Sequence, residues 1–299
     1  MLRLMVLFVV SSALVLATGA AAAAEPVATH LQDISVTIRA GQSQGSGIIV
    51  CRALRDGNAT VPVNLVWTAA HVVSGLRQVE TVIDPKTGRD RKVVSFRDAA
   101  IVQEFREKGR RVGESRLDVK VLKYSKAEDL ALLMVRKTGY TAKGVVFYLD
   151  PGIPPIGTDL YHVGSMGGQE LGATSMTQGI VAQIGRVLGG KTYEQVTCAA
   201  SGGSSGGGVF LRDGRCVGIL TMGVRGADNF NFIVPVRRML KWAKRTGLLW
   251  ALDSRIASPS LDAVQGMPVE DGASSSGRPA PPDGHVFRIS QVAREADRP

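Results

Sequence analysis

The sequence is sparing in cysteine, in aromatic residues and, beyond its first residues, in long apolar runs, and each shortage excludes something. Three cysteines permit one intramolecular disulfide at most and leave a thiol over. Aromatic residues make up only 5% of the chain. The net charge is +10, yet the basic residues are interleaved with acids and carry no aromatic stacking pattern among them, so no specific nucleic-acid partner is expected. After the N-terminal residues no segment is long and apolar enough to span a bilayer, so no transmembrane anchor is expected.

What the N-terminus does have is a basic start at Arg3, an apolar run from Leu4 to Leu16 and a string of small residues ending at Ala24. That order describes a secretory signal peptide over residues 1–24, and implies a secreted or periplasmic protein. From Ile34 onward the pattern is of short β-branched or alternating apolar runs punctuated by Gly, Asp and Asn. They fall into two series, Ile34 to Val135 and Val145 to Val234, which predicts an all-β fold of two antiparallel barrels. One helix is expected after Pro235, with Val236, Met239, Leu240 and Ala243 on its apolar face, Arg237, Arg238, Lys241, Lys244 and Arg245 on its solvent face and Gly247 as its stop. From residue 253 to 299 the composition turns to Ser, Pro, Gly, Asp and Ala and predicts a disordered tail.

Three segments carry chemistry. Thr68-Ala-Ala-His71 ends an apolar strand with a histidine, and Asp129-Leu-Ala-Leu-Leu133 opens a buried strand with an acid. Gly203-Ser-Ser-Gly-Gly207 sets Ser205 among glycines whose amides are open to a ligand. Singly these read as a structural histidine, a turn residue and a flexible linker. Together they supply what acyl transfer needs. A serine hydroxyl requires a neutral imidazole to take its proton, a carboxylate fixes the imidazole, and amides such as those of Gly203 and Ser205 bind the oxyanion.

The three segments resemble the signatures of the trypsin-like serine peptidases. Their companions, Gln44-Gly-Ser-Gly-Ile-Ile-Val50, Thr177-Gln-Gly-Ile-Val-Ala-Gln-Ile184 and Asn231-Phe-Ile-Val-Pro-Val236, resemble the bacterial HtrA/Deg-like branch. The resemblance runs from Val36 to Leu249. It implies two six-stranded antiparallel β-barrels and a C-terminal helix in a peptidase domain over 25–252, with barrel one at about 30–140 and barrel two at about 141–252. It implies His71, Asp129 and Ser205 as the catalytic residues, polypeptides as substrates and no cofactor or metal.

Three departures from the family pattern matter. Ser204 stands where digestive members carry an Asp that binds a newly cut N-terminus, so activation by such cleavage is not expected. Too little chain follows Leu249 for the peptide-binding PDZ domain common in HtrA proteins. The segment from Ser74 to Glu128 is longer than usual, and its basic middle, Gln103 to Arg116, reads as an irregular surface insertion. The resemblance also puts Ala199 at the base of the primary substrate pocket, with Leu220, Thr221 and Met222 as walls. This uncharged pocket implies a small or medium apolar residue before the scissile bond; Asp228 in Gly226-Ala-Asp-Asn229 reads as a turn residue in preference to the alternative, an acid that intrudes on the pocket and favours a basic side chain.

Cys198 and Cys216 flank the Ser205 loop on what read as neighbouring strands, making them the better disulfide pair, although spacing does not fix geometry. Cys51 reads as a buried small hydrophobe. Gly185-Arg-Val-Leu-Gly-Gly-Lys-Thr192 spells a phosphate-binding loop, but strand-like residues follow it where a helix N-terminus is needed, and it reads better as a hairpin tip. An α/β-hydrolase elbow at Ser205 would need its histidine later in the chain, where only His285 stands. The competing expectation of a different class is a catalytically silent peptidase-like protein that binds polypeptides.

Overall fold

The structure is a computed structural model that describes residues 26–167, 174–224 and 228–271; the expected signal peptide and the end of the expected tail lie outside them. Among the described residues, fourteen strands follow a short helix, Val27–Asp33. β1 (Ser35–Ala40), β2 (Ser43–Asp56), β3 (Ala59–Thr68), β6 (Ala99–Glu107), β7 (Arg110–Ser125) and β8 (Leu130–Val135) close one antiparallel barrel in the order β1-β2-β3-β8-β7-β6. β9 (Asp159–Ser165), β10 (Thr174–Leu188), β11 (Lys191–Val196), β12 (Gly208–Leu211), β13 (Cys216–Gly223) and β14 (Asn231–Pro235) close a second, ordered β10-β11-β14-β13-β12-β9. β4 (Arg77–Ile83) and β5 (Asp90–Phe96) form a separate hairpin. The all-β, two-barrel expectation is therefore met.

Alternation along the strands sorts apolar side chains into three cores. Val36, Ile38, Ile49, Val66, Val121 and Leu133 fill barrel one, while Leu160, Val181, Val196, Val209, Leu220 and Ile233 fill barrel two. The opposite faces of the same strands, with Ile48, Trp67, Leu132, Phe210 and Ile219, meet between the barrels and under the C-terminal helix. Because side-chain period in a strand is two, Ile48 and Val50 face this shared layer while Ile49 faces the barrel interior. That layer packs the barrels face to face, and the site described below lies where they meet.

The helix spans Val236–Thr246 after Pro235 and ends on Gly247 in the left-handed conformation, φ 73°. Val236, Met239, Trp242 and Ala243 are buried as the apolar stripe requires, but so is Arg238, assigned by its charge to the solvent face. It is neutralised across the domain by Glu128. The spelled phosphate loop is the β10–β11 hairpin: Gly189 (φ 54°) and Gly190 (φ 73°) are its two central residues, the backbone a two-residue turn of this hand requires. Gln103 to Arg116 belongs to the long antiparallel β6–β7 hairpin, with one register shift between Phe105 and Arg106 and with Gln103 and Glu104 buried, and is not an irregular insertion.

Two further expectations are corrected. The chain beyond Asp253 stays packed as far as residue 271. Ser260 caps a short helix, Leu261–Gln265, whose Leu261 and Val264 enter the shared core; Val269 accepts from the Tyr124 amide at 2.7 Å, and Glu270 pairs with Arg77. A polar composition hid two well-spaced apolar anchors. The cysteines, moreover, are all free. β14 runs between β11 and β13, so Cys198 and Cys216 are not on neighbouring strands. Cys198 also points into barrel two and Cys216 into the layer between the barrels, on opposite sides of the wall.

Candidate active site

The site lies where the barrels meet. β3 ends at Thr68, whose Oγ1 donates to the Ser46 carbonyl at 2.7 Å, and the single helical turn Ala70–Val73 follows. This turn lifts His71 to the surface, its side chain 48% exposed. Asp129 precedes β8 with φ 52°, a left-handed conformation that Asp tolerates better than most residues. Its carboxylate collects three donors. The His71 ring nitrogen Nδ1 lies 3.0 Å from Oδ2 and 3.1 Å from Oδ1, the His71 main-chain amide donates to Oδ1 at 3.0 Å, and Thr221 Oγ1, from β13, donates to Oδ2. A carboxylate only accepts, so Nδ1 carries the proton and Nε2 is left as the basic nitrogen facing away.

The electrostatics follow from these contacts. The hydrogen bond to Asp129 raises the His71 pKa above its ordinary 6.5, against an opposing effect of burial. Burial works to raise the Asp129 pKa, but the bonds from His71 and Thr221 outweigh it and hold the carboxyl below its usual range.

Ser205 sits on the loop before β12. Its Oγ donates to the Thr221 carbonyl at a long 3.4 Å, and among the described residues no hydrogen bond joins it to His71. Thr221 thus touches both ends of the arrangement, the acid through its hydroxyl and the serine through its carbonyl. Sequence reading gave Thr221 only a pocket wall. Its place directly before the pocket strand's end was visible, but its partner 92 positions away was not.

The loop from Ser201 to Gly207 is held by a specific set of bonds. The Ser204 amide donates to the Ser201 carbonyl (3.0 Å), the Ser201 amide to Ser204 Oγ (3.1 Å), the Gly206 amide to Leu220 (2.8 Å) and the Gly207 amide to Ser204 (3.0 Å). From barrel one, the Ser46 amide donates to the Ser205 carbonyl and Ser46 Oγ to the Gly203 carbonyl, both at 2.7 Å. The amides of Gly203 and Ser205, the two expected oxyanion donors, have no acceptor among the described residues. Gly203 (φ 97°) is obligatory here on two counts, since a Cβ would also lie 2.4 Å from the Ser165 carbonyl.

Next to Asp129, Glu128 is 7% exposed and gathers Arg238, Arg245 and Lys191 at 2.9, 2.8 and 3.1 Å. Burial opposes its ionisation, but the hydrogen bonds from Arg238, Arg245 and Lys191 prevail and bring its pKa down to about 2. The pair Glu128–Asp129 therefore has one carboxylate facing the helix of barrel two and one facing His71.

A cleft of about 570 Å³ opens beside the loop, lined by Ala199 and Ala200, by Gly223 and Val224 at the end of β13, and by Asp228 and Asn229. Of the four expected pocket residues it takes only Ala199. Leu220 is 3% exposed and points into barrel two, Thr221 turns to Asp129, and Met222 lies outside the lining. Alternation along β13 explains this: the cleft meets the strand only where it ends. Among the described residues no group of His, Cys, Asp and Glu is arranged to hold a metal ion, and no helix is long and apolar enough to cross a membrane.

Residues 45–219, more than half of the chain, match the trypsin-like peptidase domain family. A stretch of 100 residues is 36% identical to the pro-apoptotic serine protease NMA111 of Lodderomyces elongisporus, covering 30% of this chain and 10% of that protein; the chain thus spans about a tenth of this curated relative. In three dimensions the fold is similar to Deg5 (TM-score 0.52, 19% identity, 75% of this chain and 93% of that one). It is likewise similar to Rv3671c of M. tuberculosis H37Rv, a serine-to-alanine mutant in an inactive form (TM-score 0.52, 18% identity, 74% of this chain and 90% of that one).

Proposed function

Because this chain belongs to the trypsin-like peptidase domain family, we propose that it is an exported serine endopeptidase, with Ser205 as nucleophile, His71 as general base and acid, and Asp129 as the carboxylate that orients it. The observation that carries the reading is the contact of Asp129 with the His71 Nδ1 edge at 3.0 Å, which leaves Nε2 basic on the side away from the carboxylate. Nε2 takes the Ser205 proton as Oγ attacks the substrate carbonyl. The amides of Gly203 and Ser205 receive the oxyanion, a donor of this kind being worth about 3 to 4 kcal/mol in a serine protease. His71 then returns the proton to the leaving amine, and water releases the acyl group by the same steps in reverse. Export, to the periplasm or beyond, belongs to this proposal and rests on the N-terminal sequence.

The long Ser205–Thr221 bond favours a second reading, a protein that binds polypeptides without cutting them. Fluorophosphonate labelling of the purified protein separates the two. Under the first, the label attaches to Ser205, disappears in Ser205→Ala and falls sharply in His71→Ala. An intact fold that takes no label under any condition rejects it. Unbound proteases often hold their catalytic bonds long and tighten them on substrate, so the label, not the distance, decides.

A further inference from the structure

Resting on the peptidase reading, we infer that Arg238 is a positioning residue for the reaction: from the closing helix of barrel two it holds the Glu128–Asp129 peptide unit, and so sets where the Asp129 carboxylate meets His71.

Among the described residues, Asp129 is one of three other than glycine with a left-handed backbone, at φ 52°. Such a conformation persists only where its surroundings over-determine it. The turn's own bonds are long: the Glu128 amide donates to Ser125 Oγ at 3.3 Å and the Asp129 amide to the Lys126 carbonyl at 3.4 Å. The short bond comes from the other barrel. Arg238 Nη2 donates to the Glu128 carbonyl at 2.7 Å, while Nε donates to the carboxylate of the same residue at 2.9 Å. A guanidinium is planar and a peptide unit is rigid, so gripping carbonyl and carboxylate at once fixes the direction of that carbonyl and of the whole unit that leads into Asp129.

Arg238 has a defined seat of its own. It is buried, its guanidinium lies 4.6 Å from the centre of the Tyr193 ring, and Nη1 donates to the Thr192 carbonyl at 3.4 Å. All three of its nitrogens are therefore engaged, two of them on Glu128. Neutralising the Glu128 carboxylate does not by itself call for this arrangement, since Lys191 and Arg245 also serve it, at 3.1 and 2.8 Å. Of the three cations, Arg238 is the one that also bonds the Glu128 carbonyl. Barrel two thus reaches the acid of barrel one twice, at its side chain through the Thr221 hydroxyl and at its backbone through Arg238.

Arg238→Met and Arg245→Met each take one cation from Glu128, but only the first releases the carbonyl. In the full chain, Arg238→Met should lower kcat on fluorescently labelled casein by about tenfold to a hundredfold, the scale of a small misplacement, with KM within about twofold. Arg245→Met, which removes a largely exposed partner, should leave both within about twofold. Titration of the His71 ring by NMR needs no turnover and separates the causes by sign. Loss of positioning weakens the bond to Asp129 and lowers the His71 pKa toward 6.5, whereas loss of a nearby positive charge alone raises it. Arg238→Met should therefore lower it, and Arg245→Met should not. If Arg238→Met melts far below wild type, adding Glu128→Leu replaces the buried pair by apolar groups and should restore the melting temperature while kcat stays low. Recovery of kcat along with the melting temperature, or a His71 pKa that rises or stays in place, makes Arg238 a structural partner of Glu128 and overturns the inference. A wild-type protein that labels at Ser205 with fluorophosphonate, while Arg238→Met behaves as Arg245→Met does, leaves the peptidase standing without it. Absence of labelling, with a His71 pKa that falls in Arg238→Met alone, rejects the peptidase and keeps Arg238 as the residue that holds Asp129; absence of both rejects the two together.

Discussion

The main-chain amide of Ser46 donates to the carbonyl of Ser205 at 2.7 Å, across 159 positions of sequence and from one barrel to the other. The same residue's Oγ donates to Gly203 at 2.7 Å and accepts from the Ser165 amide at 2.8 Å, and its carbonyl takes the Thr68 hydroxyl. A peptide unit is rigid, so holding the carbonyls of Gly203 and Ser205 fixes the Gly203–Ser204 and Ser205–Gly206 units, which bracket Ser205. Ser46 therefore braces, from a fully buried position, the loop on which both unengaged amides sit.

Ser46→Ala keeps the main-chain bond and removes the hydroxyl, leaving the Gly203 carbonyl and Ser165 amide without this fully buried partner. The expected cost is about 1 to 3 kcal/mol in stability. The expected rate of fluorophosphonate labelling is lower by about tenfold, a fraction of what losing an oxyanion donor costs. Labelling at the wild-type rate in a protein of lowered melting temperature would make Ser46 a structural residue only.

Activity should rise with pH as His71 loses its proton, with an apparent pKa above 6.5 because the bond to Asp129 raises it. Asp129→Asn should lower kcat by about four orders of magnitude. Thr221→Val removes a donor that holds the Asp129 pKa down. The carboxylate then concentrates its charge on the imidazole, and the acidic limb of the kcat/KM profile should move to higher pH. A limb that stays in place or moves down would show that Thr221 does not act through Asp129.

Acid should weaken the fold in two windows. His162 is fully buried, donates from Nδ1 to the Gly208 carbonyl at 3.0 Å and has no partner at Nε2 among the described residues. Burial brings its pKa down from 6.5 to about 4. The unfolded chain therefore binds this proton first, and stability that is complete above 6.5 is lost as pH falls toward 4. Glu128, down from 4.5 to about 2, contributes stability that is present above 4.5 and is lost as pH falls toward 2. Melting curves of His162→Gln should be flatter than wild type between pH 6.5 and 4.5, and those of Glu128→Gln flatter below pH 4.5 but lower at pH 7. Parallel curves in either window would exclude that residue as its cause.

Truncation after Asp253 should lower the melting temperature by several degrees, because it removes Leu261 and Val264 from the shared core, the Val269 bond to Tyr124 and the Glu270–Arg77 pair. Burying two such side chains is worth about 3 kcal/mol or more. A truncated protein that melts with the full chain would show that this packing carries no stability.

The two barrels, the terminal helix and the Gly189–Gly190 turn were legible in sequence because each is written locally, in strand alternation, in a capped apolar stripe and in a pair of glycines. His71, Asp129 and Ser205 were legible as candidates because each stands in its own short string, and the contact of His71 with Asp129 was not. What could not be read was contact between distant strings. Nothing near Thr221 announces Asp129, and nothing near Arg238 announces Glu128, so one was given to a wall and the other to solvent. Strand order was invisible too, and it separates Cys198 from Cys216. The stretch from Arg255 to Asp271 misled by average composition, where two spaced apolar residues outweigh many polar ones.

Glu128 also bears on when the site comes into being. Arg238 and Arg245 lie 110 and 117 positions after it, so during synthesis the first barrel and its Asp129 turn are made long before the cations that secure them. Until the last helix arrives Glu128 has at most one of its three cations, Lys191, so the support beside Asp129 is completed only once the second barrel and its closing helix are made.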